Sequence, residues 1–234
     1  MTRISGVSMP IWEYLQSQHP WFDTTNYHPW QIALFTIGAV AWIIAYVIIL
    51  RAAFRKKELI IPVAAVICNF GAEVGAAIFF VPDMGKALVL AYWMWMLLDI
   101  VIILNLFRYG RDQFKASFVR QNFGWLITVS FIFSISLCSS FMVQYDLPMA
   151  VITNYLVNVV MSIAFIGLLL SKGSQESSRL LAWTKFVGTG IISVMFQTKY
   201  PDNLFLTTLY LTVAFFDVLY LILLQRSQKV GVST

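Results

Sequence analysis

Apolar residues in this chain fall into seven long runs, separated by short stretches rich in charged residues, proline and glycine. Each run is close to the ~20 residues that an α-helix needs to cross the hydrocarbon core of a bilayer. The pattern therefore predicts an all-α, polytopic membrane protein folded as a seven-transmembrane-helix bundle. The predicted spans are Trp30–Leu50, Leu59–Val81, Ala87–Phe107, Asn122–Val143, Leu147–Leu170, Leu180–Phe196 and Asn203–Leu224.

These runs divide the chain into three parts. Residues 1–29 precede the first run and form an N-terminal interfacial segment, with an apolar face that includes Ile11 and Tyr14. Residues 30–224 hold the seven spans as one domain, and residues 225–234 form a cytosolic tail. Because no continuous apolar stretch precedes the first span, no cleavable signal is expected.

The composition agrees with an integral membrane protein. Hydrophobic residues make up 59% of the chain and charged residues 12%, and the mean hydropathy is +0.77. Soluble domains are only about 45–50% apolar. Cys68 and Cys138 both lie in apolar runs, so we expect reduced thiols rather than a disulfide or a metal site. No cofactor is expected.

Basic residues predict the orientation of the bundle. Of the 16 Lys and Arg residues, 13 lie on one side if the spans alternate, and only Arg3, Lys86 and Lys199 lie on the other. The positive-inside rule then places the N-terminus outside or in the lumen and the C-terminus in the cytosol. A bacterial plasma membrane or a fungal endoplasmic reticulum fits this topology. The basic residues behind the net charge of +5 flank the spans and do not form a nucleic-acid-binding motif. No nucleic-acid partner is therefore expected.

Three predicted spans carry one acidic residue each, which are Glu73, Asp99 and Asp217. Burial disfavours the charged form of a carboxyl group, so an acid at such depth is expected to be neutral and able to donate a proton. Lys185 is the nearest cation and is expected at the membrane interface. We therefore expect pairing among carboxyl groups or with Asn side chains, rather than salt bridges. Hydrogen bonding between helices is the alternative role for these acids.

Polar and aromatic residues accompany the acids. Asn69 precedes Glu73 by four residues and shares its helix face, where it could orient the carboxyl group. Aromatic faces stabilise cations, so aromatic residues near the acids are candidates to bind a cationic guest, although an interfacial belt is the ordinary alternative. The candidate substrate-binding residues are Asn69, Tyr92, Trp93, Trp95, Tyr220 and, less strongly, Trp30.

Three short motifs carry a family resemblance. They are Cys-Asn-x-x-x-Glu ending at Glu73, the Trp-rich third span with Asp99, and Asp-x-x-Tyr beginning at Asp217. In their order and placement the chain resembles the small integral-membrane terpene cyclases of fungal meroterpenoid and indole-diterpene pathways, and their bacterial relatives acting on prenylated indole alkaloids. Ala72 stands where fungal members tend to have Trp, a departure that points towards the bacterial relatives.

The resemblance implies a metal-independent cyclisation started by a proton. Glu73 and Asp217 match the proton-donating pair of the family, and Asp99 is assigned as a partner or cation stabiliser. The acid would protonate a terminal alkene or epoxide of a farnesyl or geranylgeranyl chain on a hydrophobic or aromatic substrate. Such a prenylated substrate would enter from the lipid bilayer, after an upstream prenyltransferase or epoxidase.

Other functions are compatible with buried acids. A proton-coupled small-molecule transporter also uses carboxyl groups at helix centres, and it is the main alternative. A structural membrane subunit is a further one. A retinal protein is excluded because the last span contains no Lys for a Schiff base. The sequence also shows no aspartate-rich cluster of the kind that binds Mg²⁺ and a diphosphate.

Overall fold

The computed structural model describes residues 11–173 and 178–231, and these ranges contain helices and no β-strand. A π-helical turn at Gly75–Phe79 continues the third helix. The α-helices are α1 (Ile11–Gln16), α2 (Pro29–Lys56), α3 (Val63–Val74), α4 (Lys86–Tyr109), α5 (Ser117–Gln121), α6 (Phe123–Tyr145), α7 (Val151–Lys172), α8 (Arg179–Lys199) and α9 (Leu204–Gly231).

Six helices in the described ranges are long and apolar enough to cross a membrane, namely α2, α4, α6, α7, α8 and α9. The second predicted span, Leu59–Val81, is represented by a shorter apolar helix, Val63–Phe79. It is shorter because Pro62 caps its start in an extended conformation and the residue after Phe79 is also extended. Conversely, α9 continues past the predicted end at Leu224.

The short helix α3 lies inside the bundle and packs against α4, α6 and α7. Around it, α2 packs against α8, and both α7 and α8 pack against α9. By contrast, α6 lies at the periphery, where Phe133 is 71% exposed and Leu137 is 73% exposed. Exposed apolar side chains of this size fit contact with lipid tails.

Glycines allow two helix pairs to approach closely. A Cβ atom on Gly38 of α2 would lie 2.9 Å from the carbonyl oxygen of Gly188 in α8. A Cβ atom on Gly71 of α3 would lie 2.8 Å from the carbonyl carbon of Ser134 in α6. Ser134 Oγ also donates a hydrogen bond of 3.0 Å to the carbonyl of Ile67. Small residues and interhelical hydrogen bonds are what holds helices together in lipid.

The N-terminal segment covers one end of the bundle. Ile11 and Tyr14 of α1 are buried in a small cluster with Val89 of α4. Tyr27 is buried and donates a hydrogen bond of 2.5 Å to Asp83 in the loop before α4. Burial raises the pKa of the Asp83 carboxyl group. Residues 1–10 of the predicted interfacial segment lie outside the described residues.

Candidate active site

A cavity lies among α2, α3, α4, α7 and α8, in the half of the bundle where α2, α4 and α7 begin. The volume of the cavity is about 90 Å³. This is several times the ~10–15 Å³ that one water molecule needs. Half of the 14 lining residues are aromatic. The lining residues are Phe35, Trp42, Tyr46, Asn69, Glu73, Tyr92, Trp95, Met149, Asn154, Tyr155, Asn158, Thr189, Ile192 and Phe196.

Glu73 brings a carboxyl group into this cavity. Its side chain is 9% exposed, and Oε2 has no hydrogen-bond partner among the described residues. The ion pairs found in the described chain are Arg120–Asp112 and Lys185–Asp217, so neither includes Glu73. The helix widens into the π-helical turn two residues later, a distortion that is frequent at functional sites. Glu73 is thus a buried acid with one carboxyl oxygen left for a ligand.

A hydrogen-bond network lies one helical turn from Glu73. Asn69 Nδ2 donates to Tyr46 Oη at 2.9 Å and to Asp99 Oδ2 at 2.8 Å. Asp99 is 2% exposed and does not line the cavity. The predicted pairing of an acid with an Asn side chain is therefore confirmed for Asp99. The network fixes the Asn69 side chain, which lines the cavity beside Glu73. Among the described residues, the hydrogen bonds of the Asn69 amide go to Tyr46 and Asp99, so the prediction that Asn69 orients the Glu73 carboxyl group is not confirmed.

Aromatic rings surround the acid. The rings of Tyr92 and Trp95 meet edge to face at 5.8 Å between centroids, and Tyr92 Oη donates to the carbonyl of Met149 at 2.7 Å. On another side, the rings of Tyr155 and Phe196 meet edge to face at 6.3 Å. These contacts hold aromatic rings around a cavity in which a cation would be attracted to their faces.

Three predicted substrate-binding residues lie outside the cavity. Trp93 donates its indole N–H to the carbonyl of Ala77 at 2.8 Å, which satisfies a carbonyl of the π-helical turn. Trp30 is 48% exposed and stacks on His28 at the start of α2. Tyr220 is buried with its ring 5.4 Å from that of Phe165. The cavity therefore contains Asn69, Tyr92 and Trp95 from the predicted substrate-binding set.

The contacts of Asp217 show that two predictions were wrong: that Lys185 lies at the membrane interface, and that the buried acids form no salt bridge. Lys185 was expected at the interface, but it is 2% exposed and its Nζ lies 2.6 Å from Asp217 Oδ1. The reason is that Lys185 lies almost two turns inside α8, on the face that turns towards α7 and α9. Lys185 Nζ also donates to Ser162 Oγ at 2.7 Å. Asp217 therefore forms a salt bridge, and it does not line the cavity that contains Glu73.

Sequence reasoning missed most of the cavity wall. The missed aromatic residues lie on predicted spans that contain no acid, so nothing in the sequence distinguished them from aromatic residues that face lipid. They are Phe35, Trp42, Tyr155 and Phe196. The polar residues of α7 did carry a signal. Asn154, Asn158 and Ser162 recur every four residues and so share one face of the helix.

The chain is similar in sequence to known proteins. Residues 20–229 match the family model of Pyr4-like transmembrane terpene cyclases. The chain belongs to this family. It is 24% identical over 197 residues to the Pyr4-family terpene cyclase mfmH of Annulohypoxylon moriforme, covering 80% of each chain. It is 33% identical over 91 residues to the terpene cyclase ascF of Acremonium egyptiacum, covering 39% of this chain and 31% of that one. No solved structure matches the chain.

The family assignment makes this chain a transmembrane terpene cyclase, an enzyme that cyclises terpenoids. It thereby decides between the enzyme and the transporter that the buried acids alone left open. Both relatives come from fungi. The cavity, with its buried acid and aromatic wall, is the candidate active site of this terpene cyclase.

The Lys185–Asp217 pair generates a prediction about stability. Lys185→Met alone should destabilise the detergent-solubilised cyclase by about 3–5 kcal/mol, because it leaves the Asp217 carboxylate buried without its partner. The double variant Lys185→Met, Asp217→Leu should recover most of that loss, since an apolar pair of similar volume replaces two charges. Thermal denaturation of the wild type, both single variants and the double variant measures this coupling. Additive losses in the double variant would contradict the ion pair.

Proposed function

We propose that this cyclase starts ring closure by transferring a proton from Glu73 to a linear prenyl chain, without a metal ion. The observation that supports the proposal is the unpaired carboxyl oxygen of Glu73 in an aromatic-lined cavity. The substrate would be a farnesyl or geranylgeranyl chain, carried on a hydrophobic or aromatic group. Its terminal alkene or epoxide would receive the proton. An upstream prenyltransferase or epoxidase would supply such a substrate.

The proposed steps balance as an isomerisation. The proton of the Glu73 carboxyl group moves to an alkene carbon, whose π electrons form the new C–H bond, or to an epoxide oxygen, whose C–O bond then breaks. The cation is then the other alkene carbon, or the carbon whose bond to the epoxide oxygen broke, and the next alkene attacks it to form a C–C bond. The last cation loses a proton to the Glu73 carboxylate or to water. The product is then an isomer of the substrate, and Glu73 must regain a proton before the next turnover.

The cavity wall would guide this reaction in two ways. Tyr92, Trp95 and Tyr155 present π-systems that stabilise positive charge. Apolar contacts around the chain would keep water away from the cation and hold the alkenes in a conformation ready for closure. These roles need no side chain other than Glu73 to change its protonation state.

Asp217 has a different proposed role from the one that the family resemblance implied. Its Oδ1 is paired with Lys185 rather than directed into the cavity beside Glu73. We assign Glu73 as the proton donor and Asp217 as a residue that acts through Lys185 and Ser162. Asp99 is assigned as a positioning residue, because it does not line the cavity and contacts Asn69 and Tyr46, which do.

The topology of the bundle is part of the proposal. The helix Val63–Phe79, with its π-helical turn, is at the lower limit of ~17–25 residues that can span a bilayer. If it crosses, the bundle has seven spans and its termini face opposite sides. Lys185 is buried and does not count as a flanking cation, which leaves 12 basic residues on the proposed cytosolic side and three on the other.

Glu73→Gln should lower cyclisation at least about 100-fold, because the amide cannot donate a proton of comparable acidity. Membranes that contain the cyclase are incubated with farnesylated and geranylgeranylated phenols, with and without a terminal epoxide. Products of unchanged mass and altered retention are counted. In deuterated water, the alkene products should each gain one deuterium. The matched control is Glu13→Gln, since Glu13 is exposed on α1.

Undiminished product from Glu73→Gln would remove Glu73 as the donor. Insertion of the variant into the membrane is measured in parallel, so that lost activity is not confused with lost protein. If chelation of divalent ions with EDTA abolished the wild-type activity, the metal-independent mechanism would be wrong.

Asp99 allows positioning to be separated from proton donation. Asp99→Asn keeps an oxygen that can accept from Asn69 Nδ2, whereas Asp99→Leu removes it. We expect Asp99→Asn to retain most of the activity, and Asp99→Leu to lose about tenfold or more, because Asn69 then keeps only its hydrogen bond to Tyr46 and is held less firmly beside Glu73. Steady-state rates in the same membrane assay provide the measurement. Equal and complete loss in both variants would instead assign a proton-transfer role to Asp99.

A further inference from the structure

The α7–α8 wall of the cavity contains two polar side chains, Asn158 and Thr189. Asn158 Oδ1 and Thr189 Oγ1 are both buried and have no hydrogen-bond partner among the described residues. Neither belongs to the acid–aromatic arrangement around Glu73. Buried polar atoms in proteins are almost always paired. Four of the unpaired atoms in the described residues belong to the lining of this cavity, which indicates a ligand there; they are Glu73 Oε2, Trp95 Nε1, Asn158 Oδ1 and Thr189 Oγ1.

The conformation of Thr189 supports this interpretation. Threonines in helices commonly donate to the carbonyl four residues earlier, and Thr184, Thr208 and Thr212 of α8 and α9 do so at 2.7–2.9 Å. Thr189 makes no such bond although it is only 4% exposed. Its hydroxyl group therefore remains available to a ligand in the cavity.

The Asn158 amide is oriented by its own helix. Its Nδ2 donates to the carbonyl of Asn154 at 3.0 Å, which leaves Oδ1 as the free end of the amide. An amide oxygen can only accept a hydrogen bond, so its ligand must carry an O–H or N–H group. The Thr189 hydroxyl can donate as well as accept. A hydroxyl group on the ligand has both the hydrogen that Asn158 Oδ1 can accept and an oxygen to which Thr189 Oγ1 can donate.

The ion pair described above holds this part of the wall. Ser162 Oγ donates to the carbonyl of Asn158 at 2.8 Å and accepts from Lys185 Nζ. Thr189 lies four residues after Lys185 on α8, about 6 Å along the helix axis. The Lys185–Asp217 pair thus joins α7, α8 and α9 one turn away from Asn158 and Thr189.

We propose that Asn158 and Thr189 form a subsite that binds a hydroxyl group of the substrate, with Asn158 accepting from it and Thr189 donating to it. This inference rests on the proposed function, because it takes the ligand to be the prenylated substrate. The cyclase then selects prenyl compounds that carry a hydroxyl group over equally apolar compounds without one. The subsite also sets the direction in which the prenyl chain extends from its polar end.

The test compares two probes that differ in one hydrogen-bond donor, 2-farnesylphenol and its methyl ether. Binding to the detergent-solubilised cyclase is titrated by tryptophan fluorescence, since Trp42 and Trp95 line the cavity. The wild type should bind the phenol about tenfold more tightly, because the ether leaves Asn158 Oδ1 unpaired. Asn158→Leu should abolish that preference. Thr189→Val should weaken the binding of both probes, since each probe has an oxygen that accepts a hydrogen bond from the Thr189 hydroxyl group.

Controls separate the subsite from the chemistry. Thr184→Val removes a hydroxyl group from the same helix outside the cavity, and it should leave both affinities unchanged. Glu73→Gln should keep the preference for the phenol even though it abolishes turnover, so failure of the proton-donor assignment is recognised separately. Equal binding of the two probes to the wild type, binding of neither, or a preference that persists in Asn158→Leu would overturn the subsite.

Discussion

The cost of burying a carboxyl group in an apolar bundle is the constraint on which this structure depends. Three acids meet it in three ways. Asp217 is paired with Lys185 through Oδ1, and Asp99 accepts a hydrogen bond from Asn69. Glu73 has neither a counter-charge nor a partner for Oε2 among the described residues. An acid without a counter-charge is stable in such surroundings when it is protonated. This difference is the basis of our proposal that Glu73 is the acid that donates the proton.

The bundle supports this arrangement through α3. The short helix is packed against α4, α6 and α7, and the glycine contact between Gly71 and Ser134 brings α6 close on its outer side. On the opposite side the cavity remains, because aromatic rings from the surrounding helices contact one another rather than fill it. The same helix thus supplies Glu73, the Asn69 amide that binds Asp99, and one wall of the cavity.

The sequence was sufficient to predict the helical class and the burial of Glu73, since length, hydropathy and an acid within an apolar run are local signals. It was insufficient for partners that come from distant parts of the chain. Lys185 and Asp217 are 32 residues apart, and only the packing of α8 on α9 brings them together. Phe35 and Phe196 are likewise indistinguishable from lipid-facing residues until the helix faces are known. The spacing of Asn154, Asn158 and Ser162 already places them on one face of α7. That this face is functionally relevant becomes clear only when the structure shows the cavity beside it.

The central claim is that Glu73 is a protonated acid in the cavity at neutral pH. It is tested most directly by the infrared difference spectrum between the wild type and Glu73→Gln, both reconstituted in bilayers. The account predicts a carbonyl band of a protonated carboxylic acid that is present only in the wild type and shifts in deuterated water. Loss of carboxylate stretching bands in the variant, with no protonated-acid band in the wild type, would contradict it.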